Sequence, residues 1–260
     1  MSLSKSFKKR LNRFCLGRLK RLVADGRMRP FTVDEEGVWY KTGYDFWIYS
    51  DLRTKILKLE SNPVWEKAIS RLIWDSVQDK VFVDIGANIG YFSLLAARAG
   101  AKAVYAFEPV PYTYALLQKN IFKNHLEGCI RSYNCAVGSQ EKTLSFTVDL
   151  GPKNHAEYLC GSERRPRKAR RKVPVPVWTL DEFVRREALR EIGILKTDTE
   201  GYDFNVLLGA EKTLLQFRPM LIVEVNDFWL QKYHASKMML LDKLHSLNYR
   251  QIADSVFIPV

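Results

Sequence analysis

From Val81 to Val260, short apolar runs alternate with longer segments whose apolar residues recur at helical spacing. That alternation predicts strand–helix repeats and a mostly parallel sheet. Strands are expected near 81–85, 103–107, 130–135, 193–198 and 219–226, and helices near 89–99, 111–124, 180–190, 203–215 and 236–246. Arg250–Pro259 reads as one more strand or a hairpin. Between 139 and 178 the alternation breaks, and Thr143–Val148 and Val173–Trp178 predict the strands of an inserted hairpin. Right-handed crossovers then stack helices on both faces. The expected fold class is α/β: a Rossmann-like, doubly wound, mostly parallel sheet with an N-terminal helical and strand extension.

The extension has its own pattern. Residues 3–23 place Leu3, Phe7, Leu11, Phe14, Cys15, Leu19 and Leu22 on one imperfect helical face, with Lys8 and Arg18 intruding and Gly17 weakening the helix. Residues 31–49 read as short strands rich in aromatics, Trp39, Tyr40, Tyr44, Phe46, Trp47 and Tyr49. Such a cluster either packs as an edge sheet or lids a site and stacks on a sugar. A helix follows Asn62-Pro63, its buried side marked by Val64, Trp65, Ala68, Ile69, Leu72 and Ile73. The organisation expected is an arm over 1–30, a packing segment over 31–80 and a ligand-binding domain over 81–260.

Charge sharpens this division. The 260 residues are 47% hydrophobic, enough for a full core, and carry a net +12. Residues 1–30 hold +9 and residues 163–172 hold +6, which leaves the remainder at −3. Clustered basic segments, unlike a mildly basic surface, can hold an anionic partner. No run approaches a membrane span, and the charged N-terminus lacks the apolar stretch of a secretory signal. Cysteines 15, 129, 135 and 160 form no C-x-x-C pair, and histidines 125, 155, 234 and 245 share no metal spacing. The expected compartment is the cytoplasm.

Candidate chemistry gathers at strand ends, where open α/β sheets bind ligands. Val81–Gly90 reads as a strand entering a glycine turn, and Ala103–Pro109 as a second strand ending in an acid, Glu108. A dinucleotide fingerprint would be G-x-G-x-x-G. Here the pattern is Asp84-x-Gly86-x-x-x-Gly90, with Asn88 where the second glycine would stand. A side chain there crowds a diphosphate and suits a ligand that has none, such as S-adenosylmethionine, whose ribose hydroxyls Glu108 would take. Asp198 and Glu200 follow another strand, just before a glycine and a helix.

Together these segments resemble the FkbM family of S-adenosylmethionine-dependent methyltransferases. The resemblance rests on Val83-Asp-Ile-Gly-Ala-Asn-Ile-Gly-Tyr-Phe-Ser93, Phe107-Glu-Pro109, Ala136-Val-Gly138, Trp178-Thr-Leu-Asp-Glu182, Leu195-Lys-Thr-Asp-Thr-Glu-Gly-Tyr-Asp203, Leu208-Gly-Ala210 and Pro219-Met-Leu-Ile-Val-Glu-Val225. It covers about residues 60–226. Thr197 and Thr199 depart from the usual K-I-D-V-E-G. The resemblance implies a class I fold and methyl transfer, commonly to a hydroxyl of a sugar or natural product. It implies that Gly86, Asn88 and Gly90, with Asp84 before them, shape the cofactor turn. Glu108 would bind ribose, Asn134–Val137 (Asn134 and Ala136 included) would flank adenine, and Asp198 would face the methionine end or the acceptor.

An alcohol acceptor must lose a proton, so a general base is needed within hydrogen-bond reach. Asp198 and Glu200 are the candidates; the bland alternative has Asp198 anchoring the cofactor and Glu200 capping the next helix. A metal-assisted version would use Asp198, Glu224 and Asn226 as oxygen ligands, with Glu224 inside an apolar strand. No metal is assigned. The pocket is expected to be shaped by residues 31–49 and 139–178. For the basic segments the options are an anionic membrane surface, which would make the enzyme peripheral at the inner membrane, nucleic acid, or solvated tails. The rival functions are an RNA or DNA methyltransferase and a non-catalytic S-adenosylmethionine-binding module. Against a base-amine methyltransferase, the fourth strand ends in Asp-Thr-Glu-Gly and not in the Asn/Asp-Pro-Pro-aromatic segment that holds a flipped base.

Overall fold

A computed structural model describes residues 31–33, 38–50, 64–149 and 170–260. The expected arm over 1–30, most of the basic loop over 160–172, and His155 lie outside the described residues. Strands β1 (Phe31–Val33), β2 (Val38–Lys41) and β3 (Trp47–Ser50) pair antiparallel into a small sheet. Helix α1 (Lys67–Ser76) follows and leads into β4 (Val81–Ile85), α2 (Tyr91–Arg98), β5 (Ala103–Phe107), α3 (Pro111–Lys123) and β6 (Ile130–Tyr133). Next come β7 (Ala136–Val137), β8 (Lys142–Asp149) and β9 (Arg170–Trp178), a second small sheet in the order β7-β9-β8. The chain then runs through α4 (Leu180–Arg186), β10 (Ile194–Thr197), α5 (Asp203–Leu208), α6 (Glu211–Phe217), β11 (Met220–Val223), α7 (Asp227–Leu230) and α8 (Lys237–Ser246). It ends in the hairpin β12 (Tyr249–Ala253) and β13 (Val256–Pro259).

The central sheet has the order β6-β5-β4-β10-β11-β13-β12, parallel except for β13, which runs antiparallel to both neighbours. Strand order reverses between β4 and β10, the switch point at which such sheets open a ligand crevice. The strands are apolar on both faces because helices cover both. On β4, Val81, Val83 and Ile85 face one core with Phe183, Leu207, Leu214 and Leu240. Phe82 faces the other with Ile73, Leu94, Leu95 and Leu117. Each fully buried side chain of this size contributes about 1.5–3 kcal/mol relative to exposure.

The expected strands are present, several of them shorter than expected. The strand expected over 219–226 stops at Val223, so Glu224 stands just beyond it, not within it. The helix expected over 203–215 is two helices. The break falls at Gly209, where a Cβ would lie 1.9 Å from the Gly138 carbonyl oxygen, so the chain must turn there to pass the second small sheet. Helix α1 starts at Lys67, and Trp65 and Ala68 are exposed; Ser70 and Ile73 are its fully buried positions.

The described part of the aromatic segment packs as a sheet on α3. Trp39, Tyr40, Phe46, Ile48 and Tyr49 are buried. Asn120 of α3 and Asn124 at its C-terminal cap replace the missing neighbour of β3: Asn124 accepts from the Trp47 N–H at 2.7 Å and donates to the Trp47 carbonyl at 2.6 Å. Asn120 accepts from the Tyr49 N–H and donates to the Ile89 carbonyl, both at 2.7 Å. Lys119 Nζ lies 3.8 Å from the Tyr49 ring centre, a cation–π contact over the same sheet. Asn120→Ala would leave a buried N–H and a carbonyl unsatisfied, and is expected to lower stability by about 2–4 kcal/mol in urea unfolding.

Candidate active site

The turn after β4 passes directly over β10. Gly86 has φ 79°, and a Cβ there would sit 2.1 Å from the Asp198 carbonyl oxygen. Only glycine satisfies both the left-handed conformation and the contact. The Gly86 and Ala87 N–H groups donate to the Phe107 carbonyl at 3.0 and 2.9 Å, tying the turn to β5. Asn88 takes φ 52°, a conformation asparagine tolerates, and its side chain accepts from the Ile89 N–H at 2.8 Å. Gly90, at φ 93°, starts α2 beneath Leu117.

Glu108 stands at the end of β5 with both carboxylate oxygens fixed. The Asn88 N–H donates to Oε2 and the Val110 N–H to Oε1, each at 2.9 Å. Burial pushes the carboxyl up to about 7, against those two hydrogen bonds; the nearby Asp84 and Glu200 push the same way as burial. The Asn134 amide reaches the carbonyls of Glu108 and Pro109 at 2.9 and 3.0 Å and so braces this loop.

After β10 the chain turns through Asp198-Thr-Glu-Gly-Tyr202, with Glu200 at φ 52° and Gly201 at φ 102°. Asp203 organises the turn. It accepts from the Thr197 hydroxyl at 2.6 Å and from the Thr199 and Gly201 N–H groups at 3.3 Å. Thr197, a departure from the family pattern, is therefore paired with this acid. Burial raises Asp203 to about 6. Glu224, beside the loop, is raised to about 8 by burial and then by Asp198, Asp203 and Glu200. Its Oε2 is buried without a hydrogen-bond partner.

Beneath the loop lies a buried cation. Lys196 is 3% exposed, with Nζ 3.6 Å from Asp84 Oδ1, 3.4 Å from Asp198 Oδ2 and 4.9 Å from the Phe92 ring centre. Burial acts to lower its pKa, but Asp198, Asp84 and Glu66 outweigh it and hold the ammonium well above the usual lysine range.

These elements enclose a cleft of about 630 Å³, counting the part open to solvent. Gly86, Asn88, Glu108, Cys135, Ala136, Val137, Phe146, Asp198, Glu200 and Tyr202 are among its walls. Of the residues picked from the sequence, Gly86, Asn88, Glu108, Ala136, Asp198 and Glu200 thus converge. Asp84, Gly90 and Asn134 do not line it. Asp84 is fully buried, accepts from Ser93 Oγ at 2.6 Å and faces Lys196; Gly90 shapes the helix start; Asn134 braces the Glu108 loop. Among the described residues of 139–178 Phe146 alone lines the cleft, and none of the described residues of 31–49 reaches it. Helix α5 starts without a side-chain cap hydrogen bond, its N-cap being Tyr202, and Asp203, its first residue, is bonded to the loop before it. For the metal variant, no group of three His, Cys, Asp or Glu able to hold an ion occurs among the described residues. Asn226 instead caps α7, accepting from the Phe228 N–H at 3.1 Å.

Lys196 and Asp203 escaped the sequence reading. The signal was a charged residue at an inward position of an otherwise apolar strand, which needs a buried counter-ion. The raised carboxyls also fix a pH dependence. Glu108, Asp203 and Glu224 bind protons more tightly folded than unfolded, so their contribution is full below the ordinary carboxylate range and is lost as pH rises through about 6, 7 and 8. The unfolding midpoint of the ligand-free protein is expected to fall between about pH 5 and about pH 8 in calorimetry; a rise over that window would contradict the buried acid cluster.

Comparison with known proteins identifies the family. The family described as "Methyltransferase FkbM domain" matches residues 84–250. "Methyltransferase 1" of Beauveria bassiana is 26% identical over 164 residues, 57% of this chain and 66% of that protein. The 31-O-demethyl-FK506 methyltransferase FkbM of Streptomyces tacrolimicus is 27% identical, covering 57% and 66%. The 2-O-methyltransferase NoeI of Sinorhizobium fredii is 27% identical, covering 65% and 72%. The chain thus spans just under two thirds of the length of the first two and somewhat more of the third. With the match extending over well more than half its length, the chain belongs to the FkbM methyltransferase family.

Proposed function

We propose that this protein transfers a methyl group from S-adenosylmethionine to a hydroxyl of a sugar, glycolipid or natural-product acceptor. The observation that carries the cofactor reading is Glu108. Two backbone N–H groups orient its carboxylate at the cleft wall, leaving each oxygen a further lone pair for a donor such as a ribose hydroxyl. The rest of the wall fits the same molecule. Cys135, Ala136 and Val137 offer an apolar strip suited to a purine, and the acids at the end of β10 suit a cation. The hydroxyl acceptor is supported by the relatives whose names specify O-methylation.

When bound, S-adenosylmethionine supplies an electrophilic methyl carbon on a sulfonium, a good leaving group. The protein's task is then mostly alignment. Asp198 is assigned to the cationic amino-acid end of the cofactor. Glu200, two residues on at the left-handed apex of the loop, is assigned to accept the acceptor's hydroxyl proton on its carboxylate. Tyr202 and Phe146 narrow the cleft and limit water around that step.

Glu108→Gln is expected to weaken S-adenosylmethionine binding about 10–100-fold by calorimetry, the scale of a lost charged hydrogen bond. Wild-type affinity is expected to increase as pH rises through about 7, where Glu108 ionises. Glu200→Gln is expected to lower turnover at least ~100-fold while cofactor affinity stays within about threefold. The acceptor class is tested by incubating the protein with methyl-labelled S-adenosylmethionine and a cell extract split into lipid/glycan, small-molecule and RNA fractions. Label in either of the first two supports the reading; label in RNA overturns it.

A further inference from the structure

The proposed function gives the cleft residues their parts but leaves Lys196 without one. Lys196 and Asp84 are direct partners across the β10–β4 pairing, at the last inward-facing position of each strand. Their neighbours on that face, Phe82 and Ile194, belong to the core packed under α1 and α2. A lysine and an aspartate in such a place lose their hydration, and a buried pair of this kind is frequently no more stable than two apolar residues of similar size. Stability alone is therefore a weak reason for Lys196.

Its geometry supplies another. Asp84 is held from one side by Ser93 Oγ, at 2.6 Å on Oδ2, while its Oδ1 accepts no hydrogen bond and faces the ammonium at 3.6 Å. The same Nζ lies 3.4 Å from Oδ2 of Asp198, whose side chain is 40% exposed and lines the cleft. The chain of contacts therefore runs Ser93, Asp84, Lys196, Asp198, from the interior of α2 to the cleft wall. It crosses the sheet at the switch point. Asp84 neutralises the lysine, so Asp198 is restrained without its charge being cancelled.

We infer that Lys196 is a positioning residue: anchored by Asp84 and Ser93, its ammonium fixes the Asp198 carboxylate at the cleft wall for the cationic end of the cofactor. The inference rests on the reading of the cleft as an S-adenosylmethionine site. The restraint removes side-chain freedom that Asp198 would otherwise lose on binding. It also explains why an exposed carboxylate at a loop start needs a buried cation two residues earlier.

The test is a double-mutant cycle read by calorimetric titration of the full-length protein with S-adenosylmethionine. Lys196→Met is combined with Asp84→Asn, so that neither buried charge is left alone. Asp198→Asn is made alone and in that background. The expected result is a loss of about 10-fold in affinity for the paired substitution, a similar loss for Asp198→Asn, and little further loss when all three are combined. Lys196→Arg, which keeps the charge, is expected to stay within about threefold of wild type. If the paired substitution does not fold, Lys196→Gln, whose amide can donate to Asp84, carries the same expectation. Wild-type affinity in the paired variant, or losses that simply add, would make Lys196 a packing residue and overturn the proposal. Absence of S-adenosylmethionine binding by the wild-type protein would instead overturn the cofactor reading beneath it.

Discussion

The site depends on a single close approach. Strand β10 lies against β4, and the loop beyond it folds back over the turn at Gly86, leaving a gap too small for any side chain. The Asp198 N–H donates to the Ile85 carbonyl at 3.0 Å, so the two strand ends are bonded as well as packed. Everything chemical is registered from this contact. On one side it sets the Asn88 N–H against Glu108, and on the other it sets Asp198 and Glu200 above the buried Lys196. A methyl group at position 86 would separate the halves of the cleft, whatever residues lined them.

Around that contact the protein gathers more negative than positive charge. Glu108, Asp203 and Glu224 are all shifted upward by burial, and Lys196 is a buried cation that interacts with Asp198, Asp84 and Glu66 and, among the raised acids, opposes the shift of Glu224. Such a cluster is uncomfortable when the cleft holds only water. A ligand with positive charge at one end and hydroxyl donors at the other relieves it at several points together. On the proposed reading, binding of such a ligand would couple its affinity to folding stability through the same groups.

Much of the fold was legible because parallel strands buried on both faces leave continuous apolar runs, and because Gly86 and Glu108 end two of them. What the sequence did not carry was the reach of side chains. Asp84 stands in the glycine motif and reads as a ligand residue, yet its parity on β4 turns it inward toward Ser93 and Lys196. Helix α5 ends at Gly209 because of a backbone 71 residues earlier, Gly138, and nothing local encodes that encounter. Asp203 looks like an ordinary first-turn acid, and only its hydrogen bonds to residues before it reveal that it shapes the loop. The aromatic segment over 39–49 read as either a packed edge or a lid, and Asn120 and Asn124 claim its edge for packing.

The second small sheet carries a further consequence. Strand β9 pairs with β8 along eight successive positions, but with β7 only at Val177 and Trp178. Among the described residues, most of its other edge pairs with no strand, the kind of edge that can recruit strands from other molecules. Pro174 and Pro176 stand two residues apart on it, opposite Ser145 and Thr143, so their ring nitrogens share one direction. Lacking hydrogens, those nitrogens cannot serve a ladder, and an incoming strand would meet two consecutive gaps. Replacing both prolines would restore two donors to that edge and remove the protection they give it.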